Sequence, residues 1–219
     1  MHQNNNVMKK VLNIFGDISS EKWYDEDVTP SFVNSELKDL TASDELEVNI
    51  NCYGGEVFAA VAIASMISKS PAVKTFNVIG ICASAATMLF NASDKVNISK
   101  GAMLMYHKPL VRMQGNADDF RKQISILDKI ESENIMASLL VRTKKPIDEL
   151  SILIANEWWL TSDEAVQNLG FTLSGSNAIE NSAKTKQDDI YKNYIEKKKA
   201  LSASNAFTTF INIKNSLKK

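Results

Sequence analysis

A hydroxyl or thiol, an imidazole and a carboxylate that orients it are one set of groups able to carry out acyl transfer without a metal. In this sequence each stands where one element gives way to another. Ser84 lies in Gly80-Ile81-Cys82-Ala83-Ser84-Ala85-Ala86-Thr87-Met88-Leu89, where an apolar strand, Val73 to Ile79, runs into a glycine and small residues before an apolar helix. A helix start has unpaired N–H groups and partial positive charge, so a serine there has donors beside it for a developing oxyanion. Taken alone, a serine at that position is an N-cap. His107 directly follows the strand Ala102–Tyr106, and the only other histidine is His2, in the N-terminal tail. Any histidine chemistry therefore rests on His107. Glu157 precedes Trp158-Trp159 and is by default a solvated surface acid. Gly54-Gly55, between a strand and a helix, allows either a tight turn or a backbone N–H aimed into a cleft. Neither Gly-x-Gly-x-x-Gly nor the P-loop pattern is present, which argues against a nucleotide site. Cys52 and Cys82 read as small buried residues.

The elements that must position these groups follow from pattern and punctuation. Val11–Phe15 is a first strand, stopped by Gly16-Asp17. Thr29-Pro30 is an N-cap followed by proline at N1, and Val33, Leu37 and Leu40 give that helix its buried face. Leu46, Val48 and Ile50 alternate along a second strand, and a helix runs from Glu56 to Ser68, ended by Pro71. Lys95–Ile98 and Ala102–Tyr106 are two further strands. The strand–helix rhythm predicts a mainly parallel sheet with right-handed crossovers, whose ligand sites lie beyond the carboxyl ends of the strands. Gly54, Ser84 and His107 all fall at such ends. Asn116 caps a helix predicted to run from Ala117 to Arg142, with Phe120, Ile124, Leu127 and Ile130 in one stripe that Ile135 and Leu139 continue with drift. At about 25 residues it is roughly 38 Å long. That is more than a compact domain needs, so it suggests a subunit interface, with packing on its own domain as the alternative. Ile147–Ala155 is a short helix, and Asn156 to Leu160 is a loop. Thr161 and Glu164 have capping-box spacing for a last helix ending at Gly170.

Composition bounds the function. The chain has 219 residues, 44% of them hydrophobic and 23% charged, with a net charge of −1, so no surface for nucleic acid or anionic membrane is indicated. Two cysteines make no disulfide framework, and no Cys/His cluster has metal-ligand spacing, so neither a metal nor a cofactor is expected. Met1 to Lys10 has no apolar core of a signal peptide, and no apolar run approaches a membrane span, so the expected compartment is cytoplasmic. The tail from Glu180 to Lys219 holds nine lysines against four acids. Ile190, Tyr194 and Leu201 hint at a helix in it, and Phe207, Phe210, Ile211 and Ile213 form a small apolar cluster. The expected organisation is a flexible segment 1–10, one domain over 11–175, and a basic tail over 176–219.

Four motifs, in order, resemble the proteolytic subunit of Clp protease, and phage and prophage relatives in particular. Cys52-Tyr53-Gly54-Gly55 is similar to that family's Ser-Pro-Gly-Gly oxyanion loop, Gly80 to Ala85 to its nucleophile turn, Met105-Tyr106-His107-Lys108-Pro109 to its histidine loop, and Glu157 to Ala165 to the loop bearing its acid. The spacings fit, with 23 residues from Ser84 to His107 and 50 from His107 to Glu157. Gly115-Asn116-Ala117-Asp118-Asp119 resembles the start of the phage-type handle helix. The resemblance implies an α/β, ClpP/crotonase-like fold of repeated β-β-α units with a long handle helix. It implies a serine endopeptidase with catalytic Ser84, His107 and Glu157, with Asn156 or Asp163 as alternatives for the acid, and an oxyanion hole from the backbone of Gly54 or Gly55 together with Ala85. It also implies a homo-oligomer, a heptameric ring that pairs with a second ring, serving protein degradation with an AAA+ unfoldase or the processing of phage capsid proteins. The chain departs from the pattern where Glu157 replaces aspartate and Cys52-Tyr53 replaces Ser-Pro, and its short N-terminus leaves little for an axial hairpin. A crotonase-fold acyl-CoA enzyme and a catalytically silent ring subunit are the alternative readings.

Overall fold

The computed structural model describes residues 7–174. The basic tail and residues 1–6 lie outside the described residues. The elements run β1 (Lys9–Ile14), α1 (Pro30–Leu37), β2 (Glu45–Cys52), α2 (Val57–Lys69), β3 (Val73–Ala83), a 3₁₀ helix (Ser84–Ala92), β4 (Lys95–Ser99) and β5 (Met103–Tyr106). They continue with α3 (Ala117–Ile130), a π-helical turn (Glu131–Met136), α4 (Ala137–Arg142), α5 (Ile147–Ala155), β6 (Trp158–Thr161), α6 (Ser162–Leu169) and β7 (Thr172–Ser174). Strands β1, β2, β3, β4 and β7 lie side by side, every pair parallel. β5 pairs in parallel with the far end of β3, and β6 pairs antiparallel with β5. This is the α/β, mainly parallel, Clp-type architecture expected from the sequence. No helix among the described residues is long and apolar enough to cross a membrane.

The core sits on one face of the sheet. Leu12, Ile14, Leu46, Val48, Ile50, Phe76, Val78 and Ile98 are fully buried and join one cluster with Val33 of α1, Ala60, Ile63 and Ile67 of α2, and Leu89 and Phe90 of the 3₁₀ helix. Each strand contributes alternate residues, as the period-two pleat requires. The other face is polar along one row. Asn13, Asn49, Asn77 and Asn97 stand in register on four parallel strands. Each amide donates to the next, with Asn49 on Asn13 at 3.1 Å, Asn77 on Asn49 at 3.0 Å and Asn97 on Asn77 at 2.9 Å. A one-residue slip would break this row and expose the apolar face, so both faces specify one register.

Three elements differ from the sequence expectation, each for a long-range reason. β3 does not stop at Ile79 but continues to Ala83. Its first half pairs with β4, its last residues pair with β5, and its register with β2 shifts between Ile50 and Cys52. At this bulge Asn51 Oδ1 accepts from the Ile81 N–H at 3.2 Å. Gly80 makes room for that bond, since a Cβ there would stand 2.4 Å from Asn51 Oδ1. The stretch before Thr161 is not all loop, because Trp158–Thr161 forms β6 against β5. The long helix over residues 117–142 is interrupted by the π turn. A π turn adds a residue to the helical repeat, which accounts for the drift of the apolar stripe at Ile135 and Leu139. Before the π turn, α3 has no buried residue, and Phe120 and Ile124 are exposed. Within it Ile135 packs on the core, and beyond it Leu139 is buried.

α4 ties this long helix to the element that begins at Ser84. The Arg142 guanidinium donates to the Phe90 carbonyl and to Ser93 Oγ at 2.8 Å, at the end of the 3₁₀ helix. Ser138 Oγ donates to Asn91 Oδ1 at 3.3 Å. Hydrogen bonds to charged groups contribute about 1.5–3 kcal/mol each. Replacing Arg142 by methionine keeps the apolar stem but leaves the Phe90 carbonyl without this donor, so Arg142→Met is expected to destabilise the fold by about 2–3 kcal/mol. A thermal midpoint in differential scanning calorimetry indistinguishable from wild type would contradict this.

Candidate active site

Ser84 and His107 come from adjacent strand ends. β3 and β5 run in parallel with Ala83 opposite Met105, so the residues just beyond them leave the sheet together. His107 Nε2 lies 2.7 Å from Ser84 Oγ. With the imidazole proton on Nδ1, the serine hydroxyl donates to Nε2, and that ring nitrogen is poised to take the proton. Ser84 has φ of 54°. A non-glycine residue in the left-handed region is strained, by about 1–3 kcal/mol, and such strain clusters at functional sites. Here it turns the chain sharply from β3 into the 3₁₀ helix, and Thr87 Oγ1 fastens the turn by donating to the Ser84 carbonyl at 2.7 Å.

The glycine loop presses on this turn from the end of β2. A Cβ on Gly54 would stand 2.7 Å from Ser84 Cβ and 2.8 Å from the Ala83 carbonyl oxygen, and Gly54 has φ of 114°. Only glycine fits both constraints. Gly54 N–H is already engaged, donating to Cys52 Sγ at 3.3 Å. Gly55 differs. Its neighbours on both sides bond to Ile18, through Ile18 N–H to the Gly54 carbonyl and Glu56 N–H to the Ile18 carbonyl, each at 2.8 Å. The Gly55 N–H between them has no hydrogen-bond partner among the described residues. Gly55 also lines the cleft beside Ser84, whereas Gly54 is buried behind it.

That cleft holds about 160 Å³, and Ser84, Ala85, Thr87 and His107 form its polar side. Val57, Met88, Leu110 and Ile135 are among its apolar lining. Ile135 is delivered by the π turn, and Glu131 at the start of that turn pairs with Lys108, next to His107, at 3.0 Å. Neither cysteine competes as nucleophile. Burial pushes the Cys52 thiol up to about 11 and the Cys82 thiol well above its usual range. Thiolate, not thiol, is the reactive form. Burial likewise raises Tyr106, which stays a neutral phenol in the cleft wall.

Glu157 is brought beside His107 but not onto it. β6 pairs with β5 so that Trp158 faces Tyr106, and Glu157 and His107 come one position beyond that pair. No hydrogen bond joins the two among the described residues. The Glu157 carboxylate instead accepts from the Trp159 indole N–H at 3.4 Å. Glu157 has φ of 53°, and it and Ser84 are the two non-glycine residues with positive φ among the described residues. No signal in the sequence points to the Trp159 contact, which depends on that turn.

Comparison with known proteins shows the family. The Clp protease family profile matches residues 5–171. The chain belongs to the Clp protease family. A curated relative, the ATP-dependent Clp protease proteolytic subunit 3 of Rhodococcus jostii (strain RHA1), is 27% identical over 139 residues, which cover 60% of this chain and 67% of the relative. As a Clp protease family member the chain is a peptidase, and the hydroxyl–imidazole pair lies within the matched region.

The fit at Gly54 gives a direct test of the site geometry. Gly54→Ala drives a methyl group into Ser84 Cβ and the Ala83 carbonyl. It is expected to slow covalent labelling of the chain by a fluorophosphonate at least about 100-fold, the scale of a lost oxyanion donor, while far-ultraviolet circular dichroism stays native. Labelling at the wild-type rate would show that the glycine loop does not shape the serine turn.

Proposed function

We propose that this protein is a serine-type endopeptidase in which Ser84, His107 and Glu157 act as a triad. The observation that carries the reading is the 2.7 Å contact between His107 Nε2 and Ser84 Oγ at a strained turn on the carboxyl edge of the sheet. Ser84 Oγ attacks the peptide carbonyl while His107 takes its proton and then returns it to the leaving amine. A water, deprotonated by the same imidazole, next attacks the acyl-enzyme ester and releases Ser84 with its hydroxyl restored. Glu157 accepts from the second imidazole nitrogen, holding the tautomer and stabilising the imidazolium.

The tetrahedral oxyanion is held by the Ala85 N–H, at the start of the 3₁₀ helix, and by the Gly55 N–H. Gly55 is favoured over Gly54 because the Gly54 N–H is committed to Cys52 Sγ. The small side chains of Ala85 and Ala86, both buried, let the helix start lie close to the sheet.

The chain works as a homo-oligomeric ring, which we take to be heptameric. The uncovered stripe of α3 supports this, since Phe120 and Ile124 lie exposed beside a groove that Val111 and Met113 also line. An apolar face of this kind is stable in water when a second copy covers it. The Rhodococcus jostii relative is ATP-dependent by name, and an ATP-driven unfoldase is the partner we carry over from it.

Fluorophosphonate labelling of the full chain tests the nucleophile. Wild type is expected to label and Ser84→Ala is not; equal labelling of the two removes Ser84 from this role. In peptide hydrolysis, His107→Ala is expected to lose most activity, and Glu157→Gln to lower kcat about 10- to 100-fold, within the range that positioned acid–base groups contribute. Near-normal turnover of Glu157→Gln would remove it from the triad.

A further inference from the structure

We infer that Trp159 is a positioning residue that holds the Glu157 carboxylate off His107, so that the acid has two alternative partners and its latched position is the resting one. This rests on the serine-peptidase reading above. Trp159 pairs with Met105, and Glu157 and His107 are the residues just beyond the last β5–β6 pair, Tyr106 with Trp158. The Glu157 carboxylate thus starts from the end of the strand pair at which His107 also stands, and indole and imidazole compete for it. The carboxylate is on the indole, at 3.4 Å.

Two features make this a two-position element. The Glu157–Trp159 bond is at the long end of the hydrogen-bond range, and both residues are exposed, so it holds weakly. Glu157 also keeps its carboxylate there at φ of 53°, a conformation unfavourable for any residue with a Cβ. Return of Glu157 to extended backbone relieves that strain and carries β6 one pair further along β5, which places the acid across from His107. In the latched position Ser84 and His107 are already in contact, and the imidazole lacks only its orienting acid. Trp158 is not part of the latch, since its ring packs on Tyr106 with centroids 5.8 Å apart.

The test measures the second-order rate of fluorophosphonate labelling at Ser84, together with kcat and KM on a short peptide, in the full chain. The variants are Trp159→Phe, Glu157→Gln and the two combined. Phenylalanine keeps an aromatic ring on β6 and removes the N–H. Trp159→Phe is expected to label about 5- to 10-fold faster than wild type, a modest part of what a positioned acid–base group contributes, with kcat raised by a similar factor and KM unchanged. In the Glu157→Gln background the same change is expected to have no effect. Trp159→Leu, which also lacks the donor, is expected to behave as Trp159→Phe does. A purely structural role for the indole predicts slower labelling in both variants, with or without the Glu157 carboxylate. Labelling at or below the wild-type rate, or acceleration that persists with Glu157→Gln, overturns the latch and leaves the nucleophile assignment standing. Absence of wild-type labelling at Ser84 overturns both.

Discussion

The contact between Gly54 and the Ser84 turn is the constraint on which the rest of this structure depends. A serine at φ of 54° does not hold that conformation by itself. It is held because the end of β2 packs against it closely enough to exclude any side chain at Gly54. That packing needs β2 and β3 to end together, which they do with Cys52 opposite Cys82, each two residues before its turn. The asparagine row across β1 to β4 and the apolar layer beneath it fix this pairing from both faces of the sheet. The strain at Ser84 is thus offset by the sheet as a whole, and its result is a hydroxyl directed out of the strand end toward His107.

The second constraint is the split of β3. By pairing first with β4 and then with β5, one strand brings the histidine loop next to the serine turn. The bulge that allows the change of partner is carried by Asn51 and Gly80, neither of which touches the reacting atoms. The long helix joins the same assembly from outside. Its π turn places Ile135 in the cleft and Glu131 on Lys108, while Arg142 secures the far end of the 3₁₀ helix that Ser84 begins. The exposed stripe of α3 and the cleft are therefore joined through one run of helix, by way of Ile135 and the Glu131–Lys108 pair.

Much of the candidate site was legible in the chain because its members stand at strand ends. Ser84, His107 and the glycine pair were located by the change from strand pattern to glycine or small residues, and the structure brings Ser84 and His107 into hydrogen-bond distance. Which glycine faces the cleft was not legible, since Gly54 and Gly55 are equivalent until Ile18 bonds to the residues on either side of Gly55. The partner of Glu157 was not legible either, because it depends on a backbone turn at Glu157 itself. The long helix expected over residues 117–142 is there with those bounds, and only the π turn within it was missed, the drift of its stripe being the one trace of it.

The sequence by itself determined what short-range chemistry controls. Thr29 caps α1 ahead of Pro30, Asn116 with Asp119 and Thr161 with Glu164 form the capping boxes of α3 and α6, and Gly170 ends α6 in the left-handed conformation. These are bonds between residues at most four apart, so a window of sequence contains both partners. The alternation that selects the buried face of each strand is local in the same sense. Only the tertiary structure decided the length of β3, the existence of β6, the π turn and the placing of the acid. Each depends on hydrogen bonds or packing between segments far apart in the chain, or on a strained backbone that those segments hold, so no short window of sequence contains both partners.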